Sequence, residues 1–135
     1  RVMPGVAERI CFLPRQGYVQ YLQLLQNCDV MLDPLHFGGG KTTLDALSLG
    51  VPIVTLPGQF MRGRATYACY RQMGFDGCAA ADAADYVRKA VRLANDPDFQ
   101  DAAVRELRQR SHFLAERSDL VRELEAFLKS AVESA

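Results

Sequence analysis

The sequence predicts a three-layer α/β domain built on a parallel sheet of about four or five strands, with helices on both faces. Three observations carry this. Short β-branched and apolar runs alternate with stretches of helical period, and glycine or proline stands at nearly every junction. The third is size: 135 residues with an apolar share of 49% suffice for one hydrophobic core. Strands joined through helices lie parallel, because a crossover of that length returns the chain to the same end of the sheet.

Residues 9–13 (Arg-Ile-Cys-Phe-Leu) form a β-branched and aromatic run closed by Pro14, and read as a buried strand. A helix follows over 17–28, with Val19, Leu22 and Leu25 at helical spacing and Gln20, Gln23 and Gln26 facing away. Residues 29–33 are the next strand, stopped by Pro34, and the loop over 35–40 ends in three consecutive glycines. The pattern is helical again over 41–49, with Gly50 as a C-terminal stop. Residues 51–56 give a strand ended by Pro57 and Gly58, 63–73 a helix stopped by Gly74, and 75–79 a short last strand. Asp82 caps a helix through Leu93 that turns Tyr86, Ala90 and Leu93 to one side. Residues 97–135 hold C-terminal helices, the last with an apolar stripe of Leu120, Leu124, Phe127 and Leu128. Together these make a single Rossmann-like domain over 1–135.

Sixteen basic residues balance sixteen acidic ones, so no charge excess points to a nucleic acid or an anionic membrane as partner. No apolar run approaches the ~20 residues of a membrane helix. The four cysteines show neither a CxxC pair nor metal-ligand spacing. Cys11, Cys28 and Cys69 sit among apolar neighbours and read as small core residues, as suits a reducing cytoplasm. The chain opens on Arg1 without an initiator methionine and reaches a strand almost at once, so it reads as a piece of a longer protein.

Ligands of open parallel sheets bind beyond the carboxyl ends of the strands, which directs attention to the segments after residues 12, 32, 56 and 79. The richest is Phe37-Gly38-Gly39-Gly40-Lys41-Thr42-Thr43-Leu44-Asp45. Glycines ahead of a helix let the backbone approach an anion, while first-turn amides and the helix dipole supply positive potential. Lys41 adds a charge, Thr42 and Thr43 add hydroxyl donors, and Asp45, one turn on, is placed to accept from ribose hydroxyls. An ordinary capped helix start accounts for the same residues. Gly40-Lys41-Thr42 matches the end of a P-loop, but that loop's first glycine would fall on Leu35, which argues against a nucleoside triphosphatase. Asp29 and Asp33 bracket a strand as in phospho-receiver domains, yet Pro14-Arg15-Gln16 occupies the place of the required acidic pair. Asp33 is instead expected to hold the glycine loop. His36 and Arg62 are candidates to face the cleft, and Arg64 to contact ligand or fix its own loop. Tyr67, Tyr70 and Met73 read as core, and His112 as structural or solvated.

In order and spacing, residues 29–33, the glycine loop, Thr42-Thr43-Leu44-Asp45, the run 50–58, Arg62-Gly63-Arg64 and 67–74 resemble the O-GlcNAc transferase family. That group includes SPINDLY-like enzymes and bacterial protein N-glucosyltransferases, and the resemblance covers roughly residues 9–95. It implies the C-terminal, UDP-sugar-binding half of a GT-B fold. The whole enzyme would be cytoplasmic and would transfer N-acetylglucosamine or a hexose to a protein or peptide acceptor. A missing N-terminal half, preceded by helical repeats, would complete it. No metal or other cofactor is implied, and no catalytic residue falls in this chain, which alone should be inactive. The family's phosphate contacts fall on Gly40, Lys41 and Thr42, flanked by Gly39 and Thr43, and its ribose-binding aspartate on Asp45. Gln16 falls at the uracil edge, with Tyr18 and Tyr21 near ribose and ring. Where the family often has histidine-threonine-threonine this chain has Gly40-Lys41-Thr42-Thr43, and Tyr21 stands at a frequent histidine. A non-catalytic nucleotide-binding or protein-interaction module with the same half fold is the alternative reading.

Overall fold

The computed structural model describes residues 5–115 and 118–133. Among them are α1 (Tyr18–Gln26), β1 (Met31–Leu32), α2 (Lys41–Ser48), β2 (Ile53–Val54), α3 (Ala65–Met73), α4 (Ala83–Asn95), α5 (Pro97–Arg110) and α6 (Ser118–Glu133). Short 3-10 turns lie at Ala7–Arg9, Met61–Gly63 and Ser111–Leu114. The class is α/β and mostly helical.

The helix boundaries follow local chemistry. Asp82 accepts from the Asp85 amide at 2.7 Å and opens α4, and Asp96 accepts from the Phe99 amide at 3.1 Å ahead of Pro97, opening α5. Gly74 ends α3 at φ 65°, a left-handed position that glycine adopts without steric cost.

The sheet is smaller than the sequence pattern suggests. β1 and β2 run parallel, Met31 beside Ile53 and Leu32 beside Val54, and the Asp33 amide extends the ladder onto Val54 O at 3.0 Å. The expected last strand, 75–79, is reduced to a bridge between Thr55 and Ala79, held by Thr55 N to Cys78 O and Ala80 N to Thr55 O. Tyr70 explains why pairing starts so late. Its buried hydroxyl accepts from Ile53 N at 2.9 Å and donates to Ile53 O at 2.7 Å, taking the groups that a third strand would use there.

The run at 9–13 is not a strand. Arg9 and Ile10 donate locally to Val6 and Ala7, and Phe12 is 92% exposed. A β-branched run becomes a strand only where a neighbour completes its ladder, and no described residue does so here. Cys11, inside this run, is therefore exposed rather than in the core, as is Cys28 beyond the end of α1. Cys69 is half-buried and Cys78 is the enclosed thiol, pushed up to about 12 mainly by burial.

Leu47 of α2, Ile53 and Val54 of β2, Tyr70 and Met73 of α3, Leu93 of α4 and Leu107 of α5 form the core. α2 and α4 both pack on β2, which fixes the start of α2 beside the carboxyl end of β1. α6 contributes no buried residue, and its apolar stripe, including Leu120, Leu124, Phe127 and Leu128, is exposed. No described helix is long and apolar enough to cross a membrane.

Candidate functional site

The loop between β1 and α2 is built on a buried carboxylate. Asp33, at the end of β1, accepts from the Gly39 amide at 3.0 Å and from Thr55 Oγ1 at 2.8 Å. Its backbone oxygen accepts from the Tyr86 hydroxyl at 2.9 Å. Asp33 thus ties the glycine loop to β2 and α4, the loop-holding role expected of it. A second tie runs to the loop after β2: Gly38 N donates to Arg62 O at 2.8 Å. Within that second loop Gly58 N donates to Gly63 O, and Arg64 Nη1 to Gly58 O at 2.9 Å, so Arg64 fixes its own loop.

These ties bring the chain to Gly40, which precedes α2 without a side-chain cap. The helix ladder begins with the Thr43 and Leu44 amides on Gly40 O, so those of Lys41 and Thr42 lie outside it at the positive end of the dipole. Gly40 is open: an added Cβ would meet nothing within 4 Å. Lys41 and Thr42 are exposed beside it.

Lys41 lies at the centre of a polar cluster. Its Nζ donates to both carboxylate oxygens of Asp45 and to the Tyr18 hydroxyl, each at 2.9 Å, and lies 4.2 Å from the centre of the Tyr18 ring. The Tyr18 hydroxyl in turn donates to Asp45 Oδ1 at 2.9 Å. The bonds from Lys41, and next the one from Tyr18, hold the Asp45 carboxyl below its ordinary value. Those from Tyr18 and Asp45 raise the Lys41 ammonium. Both groups therefore stay charged across the neutral range.

The remaining candidates divide. Tyr21 lies 6.4 Å from Tyr18, ring centre to ring centre, but its hydroxyl is buried without a partner among the described residues, and burial, then the charge of Asp45, raises its pKa. Thr43 turns inward: its hydroxyl, fully enclosed, shares a 3.0 Å hydrogen bond with Thr66 and braces α2 against α3 instead of facing the open mouth. Gln16 donates to its neighbour Pro14 O at 2.8 Å, and no described hydrogen bond joins it to the Lys41 cluster. His36 and Arg62 do come together, lining a cavity of about 240 Å³ with Leu35, Gly58, Gln59, Phe60 and Gly63. Arg62 packs its guanidinium 4.6 Å above the Phe60 ring.

Two participants escaped the sequence reading. Thr66 was invisible because its partner, Thr43, is distant in sequence, and Tyr86 read only as one face of α4. Among the described residues no group of three or more His, Cys, Asp or Glu side chains is placed to hold a metal.

The chain as a whole is similar to known proteins. Residues 5–123 match the model of glycosyl transferase family 41. The chain is 33% identical over 84 residues to a UDP-glucose:protein N-beta-glucosyltransferase of Actinobacillus pleuropneumoniae, covering 62% of this chain and 14% of that protein. It is 29% identical over 76 residues to the probable UDP-N-acetylglucosamine–peptide N-acetylglucosaminyltransferase SPINDLY of Solanum lycopersicum, covering 56% of this chain and 8% of that one. Among solved structures, a mutant of the Thermobaculum terrenum O-GlcNAc transferase superposes with a TM-score of 0.80 at 31% identity, covering 91% of this chain and 24% of its own. The chain thus spans less than a quarter of each of these proteins. With nearly its whole length matched, it belongs to glycosyl transferase family 41, the O-GlcNAc transferase and SPINDLY-like glycosyltransferases.

Proposed function

We propose that this chain is the donor-binding, C-terminal half of a GT-B glycosyltransferase that moves N-acetylglucosamine or a hexose from a UDP-sugar to a protein acceptor. The observation that carries the reading is the mouth of α2: first-turn amides outside the helix ladder stand beyond the carboxyl end of β1, with Thr42 exposed beside them and Lys41 paired to Asp45 one turn on. The diphosphate sits on those amides and on Lys41, and the ribose hydroxyls reach Asp45. As the sugar leaves, negative charge grows on the diphosphate, and donors already aimed at it lower the barrier. Lys41 and the amides neutralise the leaving group without a divalent metal. The cavity lined by His36 and Arg62 is the place for the sugar, and the Gly38–Arg62 bond ties its loop to the glycine loop.

The acceptor side and any general base belong to an N-terminal half outside this sequence, preceded by helical repeats, in a cytoplasmic enzyme. Family membership and the names of the relatives support transfer from a UDP-sugar to protein; neither selects glucose over N-acetylglucosamine.

Titration calorimetry of the chain with UDP, UMP and ATP tests the reading. UDP binding more tightly than either of the others supports a donor site. Preference for ATP contradicts it, and binding of none favours an interaction module.

A further inference from the structure

Lysine has three N–H donors, and all three of Lys41 are engaged within the protein, two by Asp45 and one by Tyr18. The residue that would neutralise a phosphate is therefore already neutralised, by the residue that would hold the ribose. The placement is also unusual for a helix. A cation in the first turn faces the positive end of the dipole, and an i,i+4 pair with the base on the N-terminal side is the weaker orientation. Asp45, with 13% of its side chain exposed against 70% for Lys41, is the better-fixed partner, and the Tyr18 hydroxyl bridges the two.

We propose that the Lys41–Asp45 pair, clasped by Tyr18, makes Asp45 a specificity-determining residue that favours an intact nucleoside diphosphate over its separate parts. The inference rests on the donor-site reading above. Pyrophosphate alone can take Lys41 only by leaving the Asp45 carboxylate without its cation. A nucleoside alone can take Asp45 only by leaving Lys41 without its anion. A ligand carrying both a ribose diol and a diphosphate replaces both lost partners at once, so the cost of opening the pair falls on the fragments and not on the whole. Free phosphate and pyrophosphate are thereby kept from a mouth whose amides would otherwise attract them.

The test is a double-mutant cycle read by calorimetry on the chain, with inorganic pyrophosphate, uridine and UDP as probes. Asp45→Asn is expected to tighten pyrophosphate by about 1.5-fold to fivefold, the range of one surface ion pair, and to weaken uridine and UDP. In a Lys41→Met background the same Asp45→Asn change is expected to leave pyrophosphate affinity unaltered, since no ammonium remains to be released. Tyr18→Phe, at an exposed position, is expected to tighten pyrophosphate to a lesser degree. Pyrophosphate no tighter on Asp45→Asn or Tyr18→Phe than on the parent chain, undetectable binding on all included, overturns the proposal. So does an equal gain in the Lys41→Met background, which would reveal only a general loss of negative charge. A parent chain that ignores UDP while the pyrophosphate cycle behaves as stated removes the nucleotide reading and leaves the masked lysine standing.

Discussion

Gly39 marks a point where the loop backbone has no room for a side chain: a Cβ there would stand 2.6 Å from both Thr42 Oγ1 and Thr43 Oγ1. The second oxygen cannot retreat, since Thr43 is enclosed and bonded to Thr66. Gly39→Ala should therefore cost about 1–3 kcal/mol, as overpacking does, while Gly40→Ala, facing open space, should cost far less. Urea unfolding of the two variants checks this, and equal midpoints would show that the loop yields. At this scale the sequence was most informative where chemistry is local. Asp33 and Gly39 lie six positions apart, and a strand-end aspartate ahead of a glycine run implies such a bond. Thr43 and Thr66 are 23 positions apart and Tyr18 and Asp45 27, so neither the inward turn of Thr43 nor the clasp on Lys41 left a mark in the local pattern.

Helices were legible because their signals are carried within each segment: Asp82 before α4, Gly74 after α3, an apolar face repeating along α4. Strands were legible at β1 and β2 but not at 9–13 or 75–79, because a ladder depends on what lies alongside. Residues 9–13 have suitable side chains and no described neighbour, and residues 75–79 meet β2 only beyond the position held by Tyr70. The phenol of Tyr70 thereby does a strand's work for Ile53. Tyr70→Phe should leave the Ile53 amide and carbonyl buried and unpaired, at a cost of about 1–3 kcal/mol in denaturant unfolding. A neutral outcome would mean that the 75–79 segment closes up and pairs with Ile53 itself.

Among the described residues, exposed apolar side chains include those of the segment around Phe12 and the stripe of α6. Contiguous exposed apolar side chains mark contact surfaces, and the relatives are several times longer than this chain. If α6 takes no part in the core, Leu124→Lys with Phe127→Lys should shift the thermal midpoint by no more than roughly 3 °C while reducing the fluorescence of a hydrophobic dye. A large loss of stability would place α6 inside the domain's own core. The family was legible from the order of its motifs, whereas the extent of the sheet was not, because strand pairing depends on neighbours distant in sequence. The donor site itself is most directly tested by a nitrogen–proton correlation spectrum of the chain titrated with UDP. The amides of Gly39, Gly40, Lys41 and Thr42 should shift first and furthest; shifts confined to other regions, with the α2 mouth unmoved, would contradict the assignment.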